Sequence, residues 1–399
     1  MTEPEESGRT SRCGQPIFQL THRTIGINYA VTTPAHFRID REVETGRGRR
    51  LFIARHPTMK IIKTARSKIA AWIKQKTRTH FPLRYAARNG LVSYAKPYLD
   101  PAALVGKMIG NGLTVANPAQ AEDFLRKTNY YRFKVYLRPY LTSPNTKTFV
   151  PGSDFDSALQ LYQFDEELRS FVFGLTSLVE VRFRHIMDQR LTVFTNDPFW
   201  YLQSEPYKSF PHRTLRLLRG SFDGSKEEFA KYYLSKYHSD VDGQYNFLPP
   251  FWIASEVLTL GQLHKFVQSF EKSFFAPATP TGTNELDALA KDFGAFNVGH
   301  LTKWLEYVRN LRNWCAHHSR LWNRHMAEPP NVERNLSVKA PSRHLLYHNL
   351  AMLRIMLKSQ GQSDGVKVAM LALFAKYPVA DAEKRRMGFP NNWTSDPFW

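Results

Sequence analysis

Between Leu161 and Ile186 the apolar residues Leu161, Phe164, Leu168, Phe171, Val172, Leu175, Val179, Phe183 and Ile186 keep spacings of three and four. That is the period of one helix face turned to a core. Pro151-Gly152 turns the chain just before it, Ser153 or Asp154 can accept the first free amides, and Asn196-Asp197-Pro198 breaks the pattern. A long helix is therefore expected to about Phe194. A second run, Leu301, Trp304, Leu305, Val308, Leu311 and Cys315, falls on one stripe when wound at ~100° per residue. Each needs an apolar partner, and the two are expected as the central core helices. No alternating strand pattern of consequence and no internal repeat occurs, so the class is all-α.

The remaining chain reads as smaller helical pieces. Asp100-Pro101 caps and opens a helix with Leu104, Val105, Met108 and Ile109 on one face, and Gly110-Asn111-Gly112 stops it. Pro118 opens another with Ala121, Phe124, Leu125 and Thr128 inward. The pair reads as a small helical subdomain docked on the body, or less readily as a DNA-reading hairpin. Tyr201 to Asn246 mixes Lys, Arg, Tyr and His without a clear period; its Lys231-Tyr232-Tyr233 and Lys236-Tyr237-His238 read as a solvated helix face. From Pro250, the residues Ile253, Val257, Leu260, Leu263 and Phe266 restore a helical period across Gly261. Phe274 to Glu285 is a loop, Leu286 to Phe293 a short helix, and Leu345 to Leu357 and Val366 to Tyr377 two closing helices before an aromatic tail. The expected division is 1–93, 94–148, 149–345 and 346–399.

Charge narrows the partner. The 399 residues carry a formal +20, which points to a polyanion. Residues 1–92 hold 18 Lys and Arg against 6 Asp and Glu, and no acid stands between Thr45 and Leu99. This basic extension is open to three readings: a disordered arm, a folded accessory element with a short helix around Lys60 to Ile73, or an over-extended reading frame. No apolar run approaches the ~18 residues of a membrane span, and two cysteines suit a reducing cytosol.

The chemistry sits in Leu301 to Arg324, read as one helix. There Arg312, Asn313 and His317 form Arg-Asn-x-x-x-His, with Arg309, Asn313 and His317 recurring every four residues along one flank. A guanidinium cannot be neutralised, so a half-buried Arg312 needs a carboxylate or a phosphate; Glu180 is the candidate partner, set against ordinary pairing among Glu180, Arg184 and Asp188. The Asn313 amide can hold the His317 ring. These are the parts of metal-free RNA cleavage, a proton carrier and a cation for the phosphorane. On spacing alone, an Arg salt-bridged in the core and an exposed His fit as well. Asn129-Tyr130-Tyr131-Arg132 and Lys134 can stack bases and hold phosphates, or pack as an aromatic knot. Cys315, His317, His318 and His325 cluster in sequence but point to different helix faces, and no zinc site is expected.

The segment RNLRNWCAHHSRLWNR resembles the motif of the Abi-like (AbiD/AbiF) abortive-infection proteins, a branch of the HEPN superfamily. KPYLDPAALVGKMIGNGLTVANPAQAEDFLRKTNYYRFKVYLRPY, FVPGSDFDSALQLYQFDEELR, PPFWIASEVLTLGQL and MGFPNNW agree in order, so the likeness covers residues 94–399 and not the extension. It implies an all-α HEPN-type bundle that homodimerises across a shared cleft. It further implies a cofactor-free, metal-independent endoribonuclease acting as an anti-phage toxin in the bacterial cytoplasm. A structured noncoding RNA or an antitoxin is an implied partner besides the RNA substrate. Arg312 matches the motif's Arg, Asn313 its polar second position and His317 its His; His318 adds a contact to RNA or to the partner subunit, and Arg184 lies on the expected RNA-facing side. The competing reading is a non-catalytic RNA scaffold or sensor, and a DNA-binding regulator comes third.

Overall fold

Asp154 begins the longest element. Its carboxylate accepts the Ser157 amide at 2.7 Å, and the helix it caps runs unbroken over Phe155–Thr195 until Asn196 turns left-handed at φ +50°. At ~1.5 Å per residue it spans about 60 Å. The computed structural model describes residues 96–239, 245–361 and 365–399. The expectations for residues 1–93, including the helix around Lys60, lie outside the described residues.

In chain order the helices are α1 (Pro101–Gly110), α2 (Pro118–Lys127), α3 (Tyr130–Phe133), α4 (Phe155–Thr195), α5 (His212–Asp223) and α6 (Glu228–Lys236), then α7 (Phe251–Ala254), α8 (Leu260–Ser269), α9 (Glu285–Asp292), α10 (Val298–Ala316), α11 (Leu346–Lys358), α12 (Val366–Lys376) and α13 (Pro378–Ala382). Only isolated bridges, such as Leu141 with Phe149, interrupt the helical architecture among the described residues, which is all-α. The α4 and α10 stripes pack on each other, with α8 against α10 and α11 against α4. The apolar residues that set the period of α10, Leu301, Trp304, Leu305, Val308, Leu311 and Cys315, are all buried. Along α4 the same holds for Leu161, Phe164, Leu168, Val172, Leu175, Val179 and Phe183, whereas Phe171 and Ile186 lie half-buried at the edge.

At the N-terminal end, Phe124, Phe133, Phe155 and Tyr162 form a ring cluster with centroids 5.0 to 6.2 Å apart, which seats α2 and α3 on α4. Residues Lys96–Trp399 form one compact unit. The tail docks by its aromatics as expected: Phe389, Trp393 and Trp399 are buried, and the Trp399 indole donates to the Tyr347 hydroxyl at 2.8 Å.

Three readings of local structure change. The apolar period from Pro250 to Phe266 is two helices, because Thr259 and Gln262 form a reciprocal capping box that starts a new one after a short 3-10 turn. The Tyr201 to Asn246 insert holds two helices, α5 and α6, the first burying Leu215, Leu218 and Phe222. The motif helix ends at Ala316, and the chain to Arg324 is loop.

Candidate active site

Helix α10 stops where its chemistry begins. His317 is the residue after the last turn, its amide still donating to the Asn313 carbonyl at 2.9 Å. His318 then adopts a left-handed φ of +52°, and the Ser319 amide closes back on the Trp314 carbonyl at 2.7 Å. The histidines therefore stand at the mouth of the helix end, and both are exposed. Cys315, by contrast, faces the core, where burial and the nearby Asp165 charge push its thiol up to about 12. It cannot share a metal with His317 and His318.

Arg312 is braced from α4. Its Nε lies 3.7 Å from Glu180 Oε2, and Nη1 is 3.5 Å from the Asn313 amide oxygen, the outer limit of a hydrogen bond. The guanidinium side chain remains 36% exposed, so it is held from one edge and open at the other. Asn313 thus turns its oxygen toward Arg312 and not toward the imidazole.

Glu180 is buried and serves two cations, because Arg184 Nη2 donates to its Oε1 at 2.6 Å. The same Nη2 reaches the Leu258 carbonyl at 2.8 Å. Arg184, expected among the RNA-binding residues, is drawn inward and holds Glu180 against the turn before α8. Asp188 takes no part and accepts from the Thr192 hydroxyl at 3.0 Å.

Arg309, one turn before Asn313, meets Nδ1 of the buried His264 at 3.2 Å. Burial, and next the Arg309 charge, lower His264 to about 4. Its folded pKa is below the unfolded ~6.5, so the folded chain binds the proton more weakly. Stability from this group is complete above pH 6.5 and is lost as the pH falls toward 4. The melting temperature is expected to drop by several degrees between pH 7 and 4.5, and His264→Gln should flatten that drop; an equal drop in the variant would exclude His264 as its source.

The loop after α10 is fixed by a residue 156 positions away. Asp165 of α4 is fully buried; its Oδ1 accepts the amides of Leu321 at 3.0 Å and Trp322 at 2.6 Å. Its Oδ2 accepts from the Tyr136 hydroxyl at 2.6 Å and from Arg169 Nη1. Burial pushes this carboxyl up, and Arg169, Tyr136 and the two amides oppose that. Tyr136 also stacks on Trp322 at 5.9 Å, tying the 130–140 segment to the loop. Within that segment Tyr130 is half-buried, Tyr131 and Arg132 are exposed, and the Lys134 ammonium sits 4.0 Å over the Tyr131 ring. Sequence reasoning had no signal for Asp165 or His264, since a lone buried acid or His becomes visible only when its partners fold onto it. Arg324, at the end of the motif segment, holds its guanidinium 4.3 Å from the centre of the Trp314 ring.

The arrangement offers a braced, half-open cation and an exposed imidazole on neighbouring turns. Among the described residues, no helix is long and apolar enough to cross a membrane. Neither the curated proteins nor the solved structures contain a match to the chain. A family model described as Abi-like protein matches residues 123–323, from α2 to the loop beyond the motif helix. That span holds Asp165, Glu180, Arg312 and His317 and half of the chain, and on it the chain belongs to the Abi-like protein family.

Proposed function

We propose that this chain is a metal-independent endoribonuclease of the HEPN class, acting as an abortive-infection toxin. The observation that carries the reading is the exposed His317 placed just beyond a half-open Arg312 that Glu180 braces from behind. In the reaction the ribose 2′-oxygen attacks the adjacent phosphorus, the 5′-oxygen leaves, and a 2′,3′-cyclic phosphate forms. His317 takes the proton from the 2′-hydroxyl or delivers one to the leaving oxygen. Arg312 neutralises the charge on the phosphorane oxygens, with Nη groups that no carboxylate occupies among the described residues. Asn313 sets the guanidinium through its amide oxygen.

Two imidazoles would divide the proton work, which suits a homodimer. Phe173, Leu178 and Val181 are exposed on α4, on the helix that carries Glu180, and offer an apolar face for a second copy. Val181→Glu is expected to yield a monomer in sedimentation velocity and to cut cleavage at least tenfold; a dimeric, active variant would exclude this face.

The reading is tested by incubating the purified chain with mixed RNA in EDTA and mapping the ends. Cyclic-phosphate or 3′-phosphate termini support it. Salt-sensitive RNA binding without products would assign the chain to the scaffold or sensor class instead.

A further inference from the structure

Beyond the reacting groups, the loop that follows α10 carries two cations that no carboxylate pairs with among the described residues. Arg320 Nη1 donates to the Asn323 carbonyl at 2.8 Å, and Arg324 Nη1 to the Arg320 carbonyl at 3.0 Å. The Arg324 guanidinium carbon lies over the Trp314 indole, 4.3 Å from the ring centre. Trp314 lies on the last turn of the helix, three residues before His317, which follows that turn. Arg138 is exposed and close enough to Arg320 for their charges to repel. Asp165, whose charge reaches both arginines, already accepts from Tyr136, Arg169 and two amides.

Half-buried guanidiniums that have shed part of their hydration need counter-charge. Burial lowers the pKa of both Arg320 and Arg324, the direction expected of cations lacking a partner. Their backbone hydrogen bonds fix each fork, and the Asp165 clamp on Leu321 and Trp322 fixes the loop between them. We infer that Arg320 and Arg324, with Arg138 beside them, form a preorganised phosphate-binding subsite that seats the RNA backbone next to the linkage presented to His317 and Arg312. The ligand class is the phosphodiester backbone of a single strand, gripped without reading its bases. The exposed Tyr131 and Arg132 and the half-buried Lys134 extend the same segment as Arg138, so the strand can continue along it.

This rests on the ribonuclease reading, and the test separates the two. The full chain carrying His317→Ala is titrated with a fluorescein-labelled single-stranded RNA of mixed sequence, by anisotropy, over a range of salt. Adding Arg320→Gln and Arg324→Gln should weaken binding at least tenfold and flatten the log–log salt dependence by about 1.4, from ~0.7 per phosphate contact. Arg138→Gln is the second variant; it lies at an exposed position outside the core, and it should flatten the slope by about 0.7 with an unchanged melting temperature. Folded variants that keep the parent's affinity and slope overturn the subsite and leave the ribonuclease reading standing. A His317→Ala parent that binds no RNA overturns both.

Discussion

Cleavage by His317→Ala is expected to fall by about 10²–10⁴-fold, the usual worth of a proton carrier in the transition state. Growth toxicity on expression should fall with it. The side chain is exposed, and its residue is held to the helix through the backbone amide. The variant should therefore melt within a degree or two of the parent, as surface changes do. That separation gives the experiment its force, because activity moves and stability does not. Arg312→Lys makes the companion comparison: it keeps one charge but loses the planar fork, and cleavage should fall while Glu180 retains a cation to pair with. Undiminished cutting by His317→Ala in EDTA would remove the imidazole from the chemistry.

Asp165→Asn should produce the largest loss of stability, about 3–5 kcal/mol, by leaving the buried Arg169 only the exposed Glu166 carboxylate, 3.9 Å away, as counter-charge. The substitution is nearly isosteric, so packing is spared and the electrostatic part is isolated. An amide also offers one acceptor oxygen where the carboxylate offers two, and the Leu321 and Trp322 amides compete with Tyr136 for it. The loop after the motif helix should loosen before the bundle does, and amide exchange at Leu321 and Trp322 should rise first. Denaturant unfolding measures the global effect. A midpoint equal to the parent's would show that Arg169 finds charge elsewhere.

Much of the frame was legible in the residues. Asp154 as a cap, the spacing of Leu161 to Phe183 and the stop at Asn196 together define α4, and each is a local signal. Glu180 was legible only as a candidate for Arg312, set evenly against pairing with Arg184, and the folded carboxylate meets both cations. What stayed hidden depends on contacts far apart in the chain. The end of α10 at Ala316 is set by the left-handed turn at His318 and by amides captured by Asp165, and nothing in the local pattern announces that capture. Arg184 read as surface charge because helical spacing places it beside Glu180; its burial comes from the Leu258 carbonyl, 74 residues on. The capping box at Thr259 and Gln262 was present in the sequence, but an uninterrupted apolar period ran across it. In α5, the Arg-rich neighbours of Leu215, Leu218 and Phe222 masked an ordinary amphipathic helix.

The single acid at position 180 bears a further consequence through simple electroneutrality. One carboxylate shared by two guanidiniums leaves a surplus of one positive charge at the spot where Arg312 opens outward. An internal phosphodiester, which carries one negative charge, brings that sum to zero. A terminal phosphate monoester carries close to two and overshoots it. On the proposed ribonuclease reading, the balance built around Glu180 would favour linkages within a strand over those at its ends.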